Sequence, residues 1–158
     1  MKVRDIMVRA PKTCHPDTTL ATAADTMWDH DCGALPVVNN EYGVIGFITD
    51  RDICITLGTR NVLASEVLVR EVMSKKLYTC APDDDIHRAL ETMEKGKVRR
   101  LPVINPDGKL VGLLSFGDVT LHAEKKAGLK ISDLSSDDVV ETFQGLRVRQ
   151  LTEKMLQL

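Results

Sequence analysis

The segments "GFITDRD", Gly46–Asp52, and "GLLSFGD", Gly112–Asp118, decide the fold because they show one pattern twice in the same chain. In each segment a hydrophobic run ends in a hydroxyl residue, and an aspartate follows three positions later. That spacing is typical of a capping box, in which the hydroxyl and the acidic side chain bond the first amides of a helix. Each segment therefore predicts a strand that passes directly into a helix.

The repetition extends far beyond these two segments. A shift of 66 positions aligns residues 3–53 with residues 69–119 without a gap, and sixteen positions are identical. A gapless match of this length indicates an internal duplication. In the first copy the identical residues are Val3, Arg4, Met7, Thr13, Cys14, Pro16, Asp17, Ala23, Thr26, Met27, Leu35, Pro36, Val37, Asn39, Gly46 and Asp52.

Both copies predict the same order of elements. A short helical turn and a brief extended segment that ends at a proline come first. Apolar residues then recur at helical spacing, as at Leu20, Ala23 and Met27. Two β-rich runs separated by turn residues form a hairpin, and the hydroxyl of the opening pattern begins the last helix. The chain is therefore predicted to be an α/β (α+β) protein with two β-α-β-β-α repeats.

A unit of this kind leaves one face of its sheet uncovered, so we expect the two repeats to pack sheet to sheet with pseudo-twofold symmetry. The predicted boundaries are 1–62 and 63–126 for the repeats and 127–158 for a C-terminal helical extension. Ser135 or Ser136 followed by two aspartates is typical of a helix start. An apolar stripe follows, and it suits either a helix folded back on its own chain or one docked on another subunit. The stripe contains Val140, Phe143, Leu151, Met155 and Leu158.

The composition excludes several classes of protein. A net charge of -2 argues against a dedicated nucleic-acid-binding protein. The N-terminus lacks the apolar core of a signal peptide and no apolar run is long enough to span a bilayer, so we expect a cytoplasmic protein with no membrane partner. The four cysteines and four histidines lack metal-ligand spacing, so four free thiols and no metal site are expected. The cysteines are Cys14, Cys32, Cys54 and Cys80.

The tandem pattern of Asp-Ile/Val-Met, Pro, Leu-Pro-Val and Gly-x-x-Thr/Ser-x-x-Asp resembles a pair of cystathionine-β-synthase (CBS) domains. The resemblance covers Val3 to about Leu121, and it implies that the aspartate grips the ribose of a nucleotide while the Thr or Ser lies beside the phosphate. The start of a helix also favours an anion on physical grounds, because its amides and dipole point outward. Capping alone, without any ligand, explains the same residues equally well.

The resemblance assigns residues to two unequal corners. The second repeat has two basic residues, Arg99 and Arg100, where the first repeat has Gly33 and Ala34. The resemblance implies that these arginines bind the phosphate of a nucleotide held by Asp52. We therefore expect the corner with Asp52 to be the stronger site for a charged nucleotide. Its predicted residues are Phe47, Thr49, Arg51, Asp52, Leu77, Tyr78, Arg99, Arg100 and Pro102. Those of the second corner are Pro11, Lys12, Pro36, Leu113, Ser115 and Asp118. Lys95 and Lys97 are expected to form a solvated basic loop.

The predicted function is an adenine-nucleotide-binding regulatory module that signals to an unidentified partner. No catalytic constellation accompanies the aspartates, so we expect neither an enzyme nor a required cofactor. AMP, ADP, ATP, NAD and S-adenosylmethionine all offer an adenosine ribose. The resemblance also implies a homodimer. The alternative is a ligand-free interaction scaffold in which both corners are only helix caps.

Overall fold

The computed structural model describes residues 1–124 and 134–155, and the predicted helix, hairpin and second helix appear twice in them. In the first repeat a short 3-10 turn precedes two helices and three strands. These elements are the turn Val3–Asp5, β1 Val8–Arg9, α1 Leu20–Asp29, β2 Ala34–Val38, β3 Val44–Thr49 and α2 Asp50–Arg60.

The second repeat has the same order except that it lacks a strand equivalent to β1, and one more helix follows it. These elements are the turn Val69–Glu71, α3 Ile86–Gly96, β4 Arg100–Ile104, β5 Leu110–Ser115, α4 Phe116–Glu124 and α5 Ser136–Met155. The mixed α+β class is therefore confirmed. The extended segments around Cys14 and Cys80 form only single parallel bridges, to Val37 and Val103.

Local sequence explains where the first helix of each repeat begins. The Thr19 hydroxyl accepts a hydrogen bond from the Thr22 amide at 3.2 Å at the start of α1. The Asp85 carboxylate accepts one from the His87 amide at 2.9 Å at the start of α3. Such caps satisfy amides that have no partner inside the helix. The apolar face of α1 is buried at Leu20 and two further positions, as its spacing predicts.

Antiparallel pairing determines where strands β3 and β5 end. β2 pairs with β3 so that Ala34 lies opposite Thr49 and Leu35 lies opposite Ile48. In the second sheet β5 lies between β1 and β4. All five residues of β2 are buried, which means that both faces of this strand pack against other residues. Thr49 is thereby held at the point where β3 passes into α2.

The chain forms two compact units, and each combines the N-terminal turn of one repeat with the body of the other. One unit contains residues 1–9, 78–105 and the described residues from 111 onward; the other contains residues 10–77 and 106–110. Val3 donates its amide to the Asp84 carbonyl at 3.0 Å, and the equivalent Val69 donates to the Thr18 carbonyl at 2.8 Å. The two turns are thus exchanged between the repeats. The sequence boundaries at 62 and 126 stay a prediction of where each repeat ends.

Helix α5 packs on the second repeat of its own chain. Leu134 and Val139 belong to the buried cluster that contains the apolar residues of α3 and α4. Thr142 and Leu146 are buried as well. The described part of the C-terminal extension therefore folds back rather than projecting outward, while the side chains of Leu151, Met155 and Leu158 lie outside the described part. Among the described helices, none has the length and apolar character needed to cross a membrane.

Candidate functional site

The Asp52 corner, Gly46–Asp52, forms a complete capping box. The Thr49 amide donates to Asp52 Oδ2 at 2.9 Å, and the Thr49 hydroxyl donates to the same oxygen at 2.7 Å. In return the Asp52 amide donates to Thr49 Oγ1 at 3.1 Å. The prediction that the hydroxyl and the aspartate cap helix α2 is therefore confirmed.

The Asp118 corner, Gly112–Asp118, repeats this geometry, and so does the start of α5. Ser115 and Asp118 form the three equivalent hydrogen bonds at 2.9, 2.6 and 3.1 Å. Ser135 and Asp138 form them at 2.8, 2.7 and 3.2 Å, outside the aligned repeats. The hydrogen bonds from Ser135 hold the pKa of the Asp138 carboxyl below its usual range. A capping box therefore does not by itself indicate a ligand.

A binding role would use the second carboxylate oxygen, which capping leaves unused at all three boxes. All the capping hydrogen bonds to Asp52 and Asp118 use Oδ2. Within residues 1–124 and 134–155 no hydrogen bond or ion pair engages Oδ1 of either aspartate. Both side chains are half-buried, so they reach solvent without being fully exposed. Each corner thus holds a helix with one oxygen and offers a second acceptor to a hydroxyl donor.

The first backbone amides of α2 and α4 differ in whether they already have hydrogen-bond partners. The Asp50 amide donates to the Gly33 carbonyl at 3.1 Å, and the Arg51 amide donates to Asp50 Oδ1 at 2.7 Å. Together with the Asp52 amide, the first three amides of α2 are therefore occupied. An anion at this corner would therefore find fewer free amides than the sequence suggests. The exposed Asp50 carboxylate would also repel it.

At helix α4 the first amide is occupied in the same way, since Phe116 donates to the Arg99 carbonyl at 2.8 Å. The next amide belongs to Gly117, and it has no hydrogen-bond partner in the described part of the chain. Position 116 carries Phe where the first repeat carries Asp50. The Asp118 corner therefore has the more open helix start, which the sequence comparison did not reveal.

The predicted site residues divide between the two compact units. Phe47, Thr49, Arg51 and Asp52 lie in one unit, together with Lys12, Pro36 and the predicted base neighbour Leu77. Pro36 is buried opposite Phe47 on the neighbouring strand, whereas Lys12 is exposed. The structure thus brings the hydroxyl, the aspartate and Phe47 together at the end of one hairpin.

Pro11 also lies in that unit, and the other unit contains Tyr78, Arg99, Arg100, Pro102, Leu113, Ser115 and Asp118. Pro102 is buried, and its carbonyl accepts the Cys80 amide at 3.2 Å. Tyr78 packs its ring against Gly96, where an added Cβ would stand 2.7 Å from the ring. Arg99 and Arg100 lie at the start of β4. Their approach to Asp52 stays a prediction.

Basic residues before β4 contact helix α5. The Arg99 guanidinium lies 5.9 Å from the centre of the Phe143 ring, which is within the range of a cation–π interaction. Phe143 in turn stacks on Phe116 with ring centres 5.9 Å apart. The Lys97 ammonium donates to the Gly145 carbonyl, which differs from the expectation of a solvated loop. These contacts join the start of β4 and the start of α4 to the C-terminal helix.

The matched glycines of the opening pattern are required by packing. A Cβ at Gly46 would stand 2.4 Å from the Met73 sulfur, and one at Gly112 would stand 2.6 Å from the Met7 sulfur. Each methionine belongs to the N-terminal turn segment of the opposite repeat. The sequence contained this signal, because both the methionine and the glycine are identical in the two copies.

The first repeat leaves a groove open between α1 and α2. It has a volume of about 580 Å³, and its lining is mainly apolar with two acidic residues. Trp28 at this groove is 87% exposed, so a large indole faces solvent. The lining residues are Ala24, Met27, Trp28, Asp31, Cys32, Gly33, Asp50, Ile53, Cys54 and Leu57.

The matched cysteines are buried. Burial raises the pKa of the Cys14 thiol to about 11. Burial raises the pKa of the Cys80 thiol to about 12, and the negative charge of Asp84 adds to the shift. Both thiols are therefore protonated and unreactive near neutral pH. In the described ranges no three His, Cys, Asp or Glu side chains cluster in a way that could hold a metal ion.

Comparison with known proteins agrees with the fold. The CBS domain profile matches residues 3–58 and again residues 69–124. The CBS domain-containing protein YhcV of Bacillus subtilis is 33% identical over 140 residues, which cover 87% of this chain and 97% of that protein. Hypoxic response protein 1 of Mycobacterium tuberculosis is 34% identical over 125 residues, which cover 78% of this chain and 86% of that protein.

Two solved structures share the architecture. The crystal structure of Hypoxic Response Protein I, with two coordinated zinc ions, superposes with a TM-score of 0.71 and 32% identity, and it covers 77% of this chain and 98% of that one. The CBS domain pair of protein MJ0100, in complex with 5'-methylthioadenosine and S-adenosyl-L-methionine, gives a TM-score of 0.73 at 24% identity, covering 80% of this chain and 98% of that one. The fold, the duplicated corners and these matches together show that the chain belongs to the CBS domain family, as a tandem pair of CBS domains.

Proposed function

We propose that this CBS pair is a regulatory module that binds an adenosine-containing nucleotide at the Asp52 corner and signals its presence to a partner protein. The observation that carries the proposal is the unengaged Oδ1 of Asp52, beside a carboxylate oxygen that is already fixed by Thr49. Both hydroxyls of a ribose diol can donate to a carboxylate held in this way. Because capping fixes the side chain beforehand, ligand binding would cost little of its conformational freedom.

The structural relatives support an adenosine-containing ligand. The CBS pair of MJ0100 is described in complex with two compounds that both contain an adenosine ribose. AMP, ADP, ATP, NAD and S-adenosylmethionine share that group. Since the first amides of α2 are occupied, a phosphate at the Asp52 corner would depend on basic side chains such as Arg51. A contribution from Arg99 and Arg100 stays what the family resemblance implies.

The Asp118 corner is the weaker site for a charged ligand in this proposal. Its open Gly117 amide favours an anion, but Gly33 and Ala34 replace the two arginines at the equivalent strand start. Full positive charges outweigh a single amide for a phosphate group. The module is regulatory rather than enzymatic and requires no cofactor, and its cytoplasmic location stays a prediction.

A thermal-shift panel of the five nucleotides tests the proposal, with Asp52→Ala, Asp118→Ala and Asp138→Ala as matched variants. Each variant removes one capping box, but Asp52→Ala removes the main ribose contact, Asp118→Ala the weaker one and Asp138→Ala none. At a hundredfold excess over Kd, a ligand would stabilise the native protein by about 2.7 kcal/mol. We expect that gain to vanish in Asp52→Ala and to persist in Asp138→Ala.

The ligand-free scaffold makes the opposite forecast. In that case no nucleotide raises the melting temperature of the native protein, and Asp52→Ala behaves like Asp138→Ala, with only the loss of a helix cap. Capping geometry is the same at all three boxes, so stability alone does not separate the two functions. Ligand-dependent stabilisation separates them.

We further propose a homodimer in which the groove between α1 and α2 of one copy faces the same groove of a second copy. The support for this assembly is the largely apolar groove with the exposed Trp28 at its surface, which a second copy would cover. Sedimentation analysis of native protein and Trp28→Glu tests this assembly: we expect a dimer that becomes a monomer, and a native monomer would contradict it.

A further inference from the structure

We infer that the groove between α1 and α2 binds a basic helix of a partner protein, because a helix already covers the equivalent surface of the second repeat. In the second repeat α5 packs on both α3 and α4. In the first repeat the same surface is the open groove of about 580 Å³. The inference rests on the proposed function in one respect, since it names the kind of partner that would receive the signal.

The apolar lining of the groove corresponds to residues on which α5 packs. A shift of 66 positions relates Met27 to Met93 and Ile53 to Val119. Met93 and Val119 belong to the buried cluster that contains Val139 of α5. The two matches of the CBS domain profile, 3–58 and 69–124, are related by the same shift. The groove therefore presents the kind of surface that a helix covers in the other repeat.

One polar contact of α5 would meet the opposite charge in the first repeat. The Lys97 ammonium donates to the Gly145 carbonyl of α5. The equivalent residue is Asp31, and both residues have a left-handed backbone, with φ of 53° and 48°. Asp31 is an exposed carboxylate at the groove, so it accepts hydrogen bonds and cannot donate one to a carbonyl. An occupant must therefore bring a donor to this point.

A second contact changes from aromatic to acidic. Phe116 stacks on Phe143 of α5, and its equivalent in the first repeat is the exposed Asp50, which lines the groove. The Arg99 guanidinium lies over the same Phe143 ring, and its equivalent is Gly33. A phenylalanine at this point of an occupant would face a carboxylate, whereas a lysine or arginine would form an ion pair. The groove thus favours a more basic helix than α5.

The contacts of α5 define the pattern of the helix that the groove would accept. Basic residues belong at the positions where α5 has Phe143 and Gly145, because cations there would reach Asp50 and Asp31. Between and around them an occupant needs residues that can be buried at the spacing i, i+3 and i+7. In α5 the buried positions with this spacing are Val139, Thr142 and Leu146.

A basic helix would compete with the second copy that we propose for the same groove. It supplies cations to two carboxylates, which an identical acidic groove does not. Partner binding and self-association through the groove would therefore exclude each other. Their exchange would give the module a change of assembly with which to signal.

Trp28 provides a direct readout, because it is the one tryptophan in the sequence, is 87% exposed and lines the groove. Covering its indole should shift the fluorescence emission to shorter wavelength. The probe is a synthetic peptide of residues 134–148 with Phe143→Arg and Gly145→Arg, and the control peptide carries Phe143→Glu and Gly145→Glu. The arginine peptide should give a saturable shift with native protein, and the glutamate peptide should not.

Asp31→Lys is the matched change in the protein, because the equivalent position 97 already carries a lysine with the same backbone conformation. It should weaken binding of the arginine peptide about three- to tenfold, since it replaces an attraction with a repulsion. Glu41→Lys makes the same charge change at an exposed residue of the same unit, away from the groove lining, and it should bind like native protein. Native-like melting verifies that each variant folds.

Two results would overturn the inference: no saturable shift with the arginine peptide, or equal affinity for the two peptides. A shift that appears when the protein alone is concentrated, and that the arginine peptide does not reverse, would also overturn it, because the groove would then belong to the second copy.

The titrations contain no nucleotide, so their outcome is independent of the thermal-shift panel. If the panel finds no ligand while the arginine peptide binds, the proposed nucleotide site fails and the groove stands as a partner site. If nucleotides bind and the arginine peptide does not, the groove inference alone fails.

Discussion

The first repeat leaves helices α1 and α2 exposed around a groove with Trp28 at its surface, whereas the second repeat covers α3 and α4 with helix α5. The corners of the two repeats have the same capping hydrogen bonds to within 0.1 Å. Their surroundings differ: Asp50 and Arg51 follow the hydroxyl in the first repeat, and Phe116 and Gly117 follow it in the second.

This comparison shows which residues the fold requires to be the same in both repeats. The hydroxyl and aspartate satisfy the first amides of a helix, and the glycine makes room for a methionine, so both copies retain them. The residues between the hydroxyl and the aspartate take no part in the hydrogen bonds of the box, and they differ between the copies. The proposed difference in ligand binding between the two corners rests on these positions.

The largest expected loss of stability concerns the segment at helix α5 that covers the second repeat. Leu134 is fully buried (0% exposed) against α3 and α4 residues, so Leu134→Ala should lower the free energy of unfolding by about 3 kcal/mol. Leu121→Ala is the matched control on α4, since that side chain is 58% exposed and should change stability by less than about 0.5 kcal/mol. Urea unfolding measures both. Equal effects would mean that α5 and its approach segment are not part of the core.

A smaller effect should appear equally in both repeats. Gly46→Ala and Gly112→Ala each place a Cβ within 2.6 Å of a methionine sulfur, and the resulting strain should cost about 2 kcal/mol. Gly58→Ala in α2 meets no atom within 4 Å, so it should stabilise the helix by about 0.5–1 kcal/mol. Unequal costs at Gly46 and Gly112, measured by urea unfolding, would show that the two methionine contacts are not equivalent.

The matched cysteines predict a pH dependence that both repeats share. Their pKa values are raised in the folded protein, so stability is fully present below the ordinary thiol pKa of 9.0 and is lost as the pH rises towards about 11 for Cys14 and about 12 for Cys80. At pH 10 the loss should be on the order of 1 kcal/mol for each thiol. Urea unfolding at pH 8, 9 and 10 should show a shallower decline in the Cys14→Ala/Cys80→Ala double variant. The same decline in both proteins would argue against buried thiols.

The smallest expected effect is the loss of one hydroxyl cap. Thr49→Ala and Ser115→Ala should each cost about 0.5–1 kcal/mol, because one helix amide and one carboxylate lose a hydrogen bond. Ser135→Ala removes the equivalent bond at α5, and it should cost no more. Chemical unfolding in the absence of nucleotide gives the comparison. A much larger loss at Thr49 alone would show that its corner supports more than a cap.

Sequence reasoning predicts the local elements well because their signals are local. Hydrophobic spacing identifies α1 and α3, turn residues identify the hairpins, and the hydroxyl with its aspartate marks the start of α2 and α4. The capping geometry at Thr49 and Ser115 also follows from the pattern alone. The roles of Arg99 and Arg100 toward a nucleotide remain predictions that rest on the family resemblance.

The sequence does not reveal which copy a segment packs against. In a duplicated chain the turn Val3–Asp5 meets similar surfaces on either repeat, so periodicity cannot choose between them. The choice is made by tertiary packing, such as Met7 against Gly112. The sequence also does not reveal the cation–π contact between Arg99 and Phe143. That contact joins the start of a strand to a helix that has no counterpart in the other copy, so the repeat pattern gives no information about it.

The exchanged N-terminal turns have a consequence for how this chain acquires its structure. The first nine residues complete a unit whose other parts begin at residue 78, so their final contacts form only after most of the second repeat has been made. Such long-range closure slows folding relative to a chain whose units are contiguous. A single repeat made alone would lack its turn partner, and two such fragments could restore it by trading turns. The duplicated chain is thus equivalent to a swapped dimer joined into one polypeptide.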